Sequence, residues 1–395
     1  MHNSIKILSK VKSDYSKLII STILGVACGT AWMTSIRYQR IGISELFFLI
    51  FLIILFFINK FDFFKIKKNL LSILKIFLFF LFFLITPYKN FFTNVYGLLS
   101  ENLIIYHFSY FLFFFTLIAL KKKIIDLNLV SLIFSTIFLS TLFFFLFIDY
   151  AVFKTSKYLG IVFLGLSSNP NQICFYLLSL FFFLSFGNKY FFYFFFLVLF
   201  LLSLFFKSDA FFLTSISIVI SFFFFHLKNF FFRKKKAIIF FSLIMSLIIL
   251  IFLNFTQILT FAIKYFEGSE TRILLLKNGL LSILNSPLLG NGVGSFSGHQ
   301  APFEGYEIHN TFLDFASQFG IIFLLLFCGV MLLSLYLMIV NNNFLSAASL
   351  VGLLVFINFH YIGRHFIFYV ILAILCNYIA NFYKTFFLFK SKGNF

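Results

Sequence analysis

The chain has 395 residues, 62% of them hydrophobic and 11% charged, with mean hydropathy +1.06 and formal net charge +19. That leaves too little polar surface to cover a globule in water, so composition excludes a soluble fold and points to an integral membrane protein. Many runs approach the roughly 20 apolar residues that a helix needs to cross a bilayer, without the alternation of a barrel strand, which predicts an all-α polytopic helix bundle.

In chain order, hydropathy predicts twelve spans near 18–35, 44–59, 70–87, 102–120, 128–148, 171–187, 190–206, 210–227, 237–255, 311–339, 345–361 and 366–383. Basic residues precede the first, but no small-residue cleavage site follows it, so it reads as a span and not as a removed signal. The chain divides into nine spans with short loops (1–255), one long loop (256–310), and three spans with a tail (311–395). With both termini inside, twenty of the 31 Lys and Arg residues fall on the cytoplasmic side, ten fall outside, and Lys75 lies within a span. The positive-inside rule supports that orientation. It also places Asn169-Pro170-Asn171, Lys207-Ser208-Asp209, the 256–310 loop and the turn 361–365 on one outer face.

Basic loops facing anionic lipid account for the net charge. The 73 Phe residues, in runs such as Phe222 to Phe225, read as coding bias. They show no base-stacking pattern, so no nucleic-acid partner is expected. Cys28, Cys174, Cys328 and Cys376 are scattered singly in apolar segments and read as small core residues.

Within the long loop a helix is predicted to begin after Gly268-Ser269, with Glu270 in its first turn, and to stop at Ser286-Pro287. Thr271, Asn278, Ser282 and Asn285 recur opposite Ile273, Leu276, Leu280 and Leu284. Such an amphipathic helix is expected on a membrane surface, holding Arg272 near the headgroups. Gly290, Gly292 and Gly294 follow a helix, unlike the glycines of a dinucleotide-binding turn, and predict a tight return toward the next span.

His309-Asn310 precedes Thr311-x-x-Asp314, a pattern that caps the following helix and puts His309 just outside its N-terminus. On residues alone, His309 is equally compatible with a boundary marker and with a functional group. Lys207-Ser208-Asp209 is compatible with an interfacial charge pair or with a site. His360, Tyr361, Arg364 and His365 crowd the last outer turn, but their spacing lacks the His-x-x-x-His pairing of a zinc site. No Walker, Gly-x-Ser-x-Gly or Asp-x-Asp sequence occurs.

Taken together, Thr271-Arg272, Ser286 to Phe296, His309-Asn310-Thr311-Phe312-Leu313 and Gly320-Ile321 resemble the signature region of the O-antigen ligase and polymerase family. The resemblance implies a bacterial inner-membrane glycosyltransferase that works at the periplasmic face on undecaprenyl-diphosphate-linked glycan. It would either join repeat units or move the glycan to lipid A core, with a polysaccharide chain-length regulator as a further partner. By the same resemblance His309 and Arg272 would be catalytic. Lys207, Arg272 and Arg364 would bind diphosphate, and Asn310, Asn169 and Asn171 would position substrate. No cofactor or metal is implied, direct displacement implies inversion, and Glu304 or Glu307 is the rival base. The short chain and compact loop resemble polymerases more than ligases. A lipid-linked glycan flippase is the competing class, expected to carry charge and broken helices at mid-membrane.

Overall fold

The computed structural model describes residues 2–34, 37–38, 41–58, 99–153, 170–187, 208–231, 270–298 and 305–392. Among the described residues it is all-helical apart from one two-residue antiparallel pairing, Arg37–Tyr38 with Ile41–Gly42. The helices are α1 (His2–Thr30), α2 (Ile43–Ile58), α3 (Leu99–Lys121), α4 (Leu127–Phe153), α5 (Pro170–Phe186) and α6 (Asp209–Phe231). After them come α7 (Glu270–Asn285), α8 (Thr311–Val340), α9 (Phe344–Ile357) and α10 (Phe366–Lys392). Every expected span except 70–87, 190–206 and 237–255 coincides with one of these, and those three lie outside the described residues. Among the described residues two helical stretches, Leu127–Phe145 and Thr311–Val340, are long and apolar enough to cross a bilayer.

Short polar residues start several helices. Asp126 Oδ1 accepts from the backbone N–H groups of Asn128 and Leu129 at 3.0 and 3.4 Å, capping α4, while its Oδ2 pairs with Lys17 at 3.0 Å. Ser208 Oγ caps α6 by accepting from Phe211 N at 3.3 Å. One end of the bundle joins Lys17 to Asp126, Ser185 to Ser346, and Asn343 to Tyr378. The other end joins Thr34 to Gln172, Ser208 to Asn171, and Tyr176 to His365.

Close approach of α1 and α4 depends on Gly25 and Gly29, where an added Cβ would come within 2.8 Å of Ile133 and Ile137 side chains. The Phe content fills the interior with edge-to-face pairs, for example Phe315 with Phe327 at 5.2 Å and 89°. Outward faces remain apolar, with Leu325 at 65% and Phe223 at 61% exposure. All four cysteines are free; Cys28 and Cys174 are buried, whereas Cys328 and Cys376 are only partly covered.

The main departure from expectation lies in α8. Hydropathy predicts one uninterrupted span, but Gly320 adopts φ 84°, ψ 171° and breaks the helix after its first nine residues. In an unbroken helix Ile321 N would donate to Ser317 O. Instead Ile321 N donates to Pro287 O at 2.8 Å, and Ser317 O accepts from Asn291 N at 2.8 Å. Gln318 O likewise accepts from Gly292 N at 2.9 Å. The glycine turn therefore docks into the break and satisfies the carbonyls it frees. An unbroken helix of 30 residues would be about 45 Å long, well over the ~30 Å of bilayer hydrocarbon. The segment beyond the break, 321–340, matches that thickness, while Thr311, Asp314, Ser317 and Gln318 before it are fully buried in protein.

Candidate functional site

The predicted loop helix forms as α7 over Glu270–Asn285. Half of its polar stripe turns inward: Asn278 and Ser282 are buried while Thr271 and Asn285 stay exposed, and Leu280 and Leu284 are 49% and 71% exposed. Ser282 Oγ and Ser317 Oγ lie 2.8 Å apart, and Asn291 Nδ2 donates to Ser282 O at 2.6 Å, tying α7 to the broken part of α8. Gly279 is packed so tightly that a Cβ there would reach Ile308 at 2.3 Å. Arg272 lies two turns before Gly279 on the same stripe of α7, so the residues around Ile308 and the Arg272 guanidinium share one side of the helix.

His309 follows Ile308 in a left-handed conformation, φ 61°, which is uncommon for a side-chain-bearing residue. The surrounding bonds hold it there. Asn310 Oδ1 accepts from Phe312 N and Leu313 N, both at 3.1 Å, and Asn310 Nδ2 donates to Asn358 O at 3.0 Å. On the preceding side, Ile308 N donates to Asp314 Oδ1 at 2.9 Å. Thr311 Oγ1 donates to His360 O at 2.6 Å and accepts from Ile362 N at 3.2 Å. Asn310 is thus the helix cap and a tie to the 358–362 segment, and its remaining amide hydrogen is what it can offer a substrate. The cap also closes the helix N-terminus, so the anion-attracting N–H groups expected there are already used.

Three basic side chains converge at this point. Partial burial, and then the Arg272 guanidinium, hold the His309 imidazole below its ordinary range, although its rim stays open to solvent. Burial, His309 and Arg272 push His360 down to about 3. Among the described residues no carboxylate forms an ion pair with Arg272. The arrangement is a cationic corner with two neutral imidazoles, suited to receiving an anion beside a proton acceptor.

Arg364 is placed differently. Its Nε donates to Glu307 Oε1 at 3.1 Å, and its guanidinium sits 5.0 Å from the centre of the Phe296 ring. Burial raises the Glu307 carboxyl and the Arg364 charge opposes that rise. A diphosphate reaching Arg364 would have to compete with Glu307, and Glu307 would have to give up Arg364 to serve as a base. Beneath them Gln318 Nε2 donates to Tyr361 Oη at 3.2 Å, Gln318 Oε1 accepts from Gly294 N at 2.9 Å, and Tyr106 and Tyr361 join through their hydroxyls. This network locks the glycine turn, α3 and the turn holding Tyr361 together.

Of the remaining expected site residues, Asn171 accepts the Ser208 hydroxyl at 2.9 Å, which brings the two short turns of the same bundle end into contact. Asn169, Lys207 and Glu304 lie outside the described residues. Sequence reasoning considered His360 only as a metal ligand and missed its place beside His309. The signal available was its position just past the end of an apolar helix, on the same outer face as His309-Asn310. Neither protein-family models nor curated proteins gave a match to the chain.

Proposed function

We propose that this chain is a polytopic membrane glycosyltransferase that polymerises repeat units of O-antigen or a related surface polysaccharide from undecaprenyl-diphosphate-linked donors. The observation that carries the reading is the placement of Arg272 on the stripe of α7 whose Gly279 packs against Ile308, the residue before His309, beside a capped helix start. In the proposed step the acceptor hydroxyl oxygen attacks the anomeric carbon, and the bond from that carbon to the diphosphate oxygen breaks. The electron pair departs with undecaprenyl diphosphate, His309 takes the hydroxyl proton, and the anomeric centre inverts. Arg272 stabilises the charge that grows on the leaving group, an effect strongest where water is excluded. Lys207 is assigned to the same role, and Arg364 joins when Glu307 releases it. Because side chains supply this charge, transfer needs no divalent metal and persists in excess chelator.

Twelve spans, a bacterial inner-membrane location and a periplasmic site belong to the same proposal. The exposed Leu280 and Leu284 of α7 support it, since they offer apolar contacts to a bilayer surface. Orientation is testable with cysteines at Tyr306 and Asn342, both exposed and at opposite ends of the bundle, in a background without the native cysteines. An impermeant thiol reagent added to intact cells lacking outer-membrane barrier function labels Tyr306→Cys and spares Asn342→Cys. The reverse pattern would place the site in the cytoplasm.

Two readings compete. A ligase would move finished glycan to lipid A core using the same residues. A flippase is favoured by the break at Gly320, yet that break is plugged by the glycine turn and leaves Ser317 O and Gln318 O already bonded. Deletion of the gene decides among the three. Polymerase loss leaves surface lipid bearing a single repeat unit. Bare core with long lipid-linked polymer identifies a ligase, and single units trapped on the cytoplasmic face identify a flippase.

A further inference from the structure

His360 has no part in the transfer step above, yet the described elements converge on it. Its carbonyl accepts the Thr311 hydroxyl at 2.6 Å, and the same segment is held through Asn358 O by Asn310 Nδ2 at 3.0 Å. Both ties come from the two residues directly after His309. One face of the ring rests on Phe356, with centroids 4.8 Å apart and planes inclined by 36°. Its electrostatic neighbours among the described residues are His309 and Arg272, both basic.

A ring so placed stays uncharged throughout the physiological range, since burial and both neighbours oppose its protonation. Neutral imidazole has one donor and one acceptor, the same pair that a sugar hydroxyl presents. A phosphate oxygen offers acceptors only and favours cations such as Arg272. The partner that complements His360 is therefore a hydroxyl and not the diphosphate.

We propose that His360 is a positioning residue for the acceptor glycan, binding a sugar hydroxyl and holding the attacking oxygen against His309. The inference rests on the glycosyl-transfer reading and adds to it a division of labour: Arg272 holds the leaving group and His360 the incoming sugar.

The test uses the full-length protein in detergent with the lipid-linked repeat unit extracted from the same cells. Two competitors are compared, the phosphate-free oligosaccharide released from that lipid and inorganic pyrophosphate. Loss of one hydrogen bond in His360→Ala should raise the oligosaccharide inhibition constant about tenfold and keep that of pyrophosphate within about twofold. Unaltered pyrophosphate inhibition also shows that the variant is folded. His360→Gln, which keeps a donor and an acceptor, should restore most of the loss, and Arg272→Gln should show the opposite selectivity. Unchanged oligosaccharide inhibition in His360→Ala, or weakened pyrophosphate inhibition, overturns the assignment. Imidazole nitrogen spectra of the wild-type protein give a readout free of turnover: the His360 signal moves with oligosaccharide and not with pyrophosphate. That movement without any transfer would defeat the glycosyltransferase reading and keep the site, whereas transfer without it would defeat the site alone.

Discussion

Replacing His309 with Ala is expected to lower transfer by about 10²–10⁴-fold, the usual worth of a general base, and Arg272→Ala by about 10²–10³-fold, that of one transition-state charge contact. Membrane abundance should be unchanged, because Arg272 is exposed and His309 lies at the solvent rim, outside the buried core. If both act on one transition state, the double variant loses far less than the product of the single losses. The pH profile adds a second reading. His309 must be neutral to accept a proton, and its range is already lowered, so wild-type activity is full at neutrality and falls only as pH drops below the ordinary 6.5. Arg272→Gln removes one cause of the lowering, and the acid limb moves to higher pH. The movement is less than the whole shift, because burial is the larger cause. His360, the other basic group beside His309, is retained. Full activity in His309→Ala transfers the base to Glu307 or Glu304.

Helix starts and stops were legible because they are local. Glu270 opens α7 and Ser286-Pro287 ends it; the cap of α8, by contrast, falls on Asn310, one residue before the Thr311-x-x-Asp314 pattern, whose Asp314 instead accepts from Ile308 N. The break at Gly320 was not legible. One glycine inside a strongly apolar run looks like any other residue of a span, and the features that force it to break lie some thirty residues upstream in Pro287, Asn291 and Gly292. The glycine turn was correctly taken as structural, but its partner was not visible. The same holds for α7, where Asn278 and Ser282 are buried and Ser282 meets Ser317, while Thr271 and Asn285 of the same stripe stay exposed. For the candidate site, His309 and Arg272 were singled out by the family resemblance, whereas His360, just past the end of an apolar helix, was not. Only folding ties it to Thr311.

The largest structural effect is expected at the break itself. A Cβ on Gly320 would come within 2.1 Å of Leu288 O and one on Gly290 within 2.4 Å of Gln318 O, and in each case the obstruction is backbone that cannot rotate away. Gly320 also occupies a region of φ and ψ open essentially to glycine, a strain of about 1–3 kcal/mol for any other residue. Gly320→Ala must therefore expel the 287–292 turn or straighten α8, and either outcome withdraws the bonds that Ser317 and Gln318 receive from Asn291 and Gly292. Detergent-extracted Gly320→Ala and Gly290→Ala should melt far below wild type and lose transfer, since residues 311–319 carry the cap that orients His309. Gly329→Ala supplies the control: it lies beyond the break in the same helix with open space around its Cβ, and alanine there stabilises by up to about 1 kcal/mol. Wild-type melting in Gly320→Ala would mean that α8 runs unbroken and that the glycine turn does not hold the site.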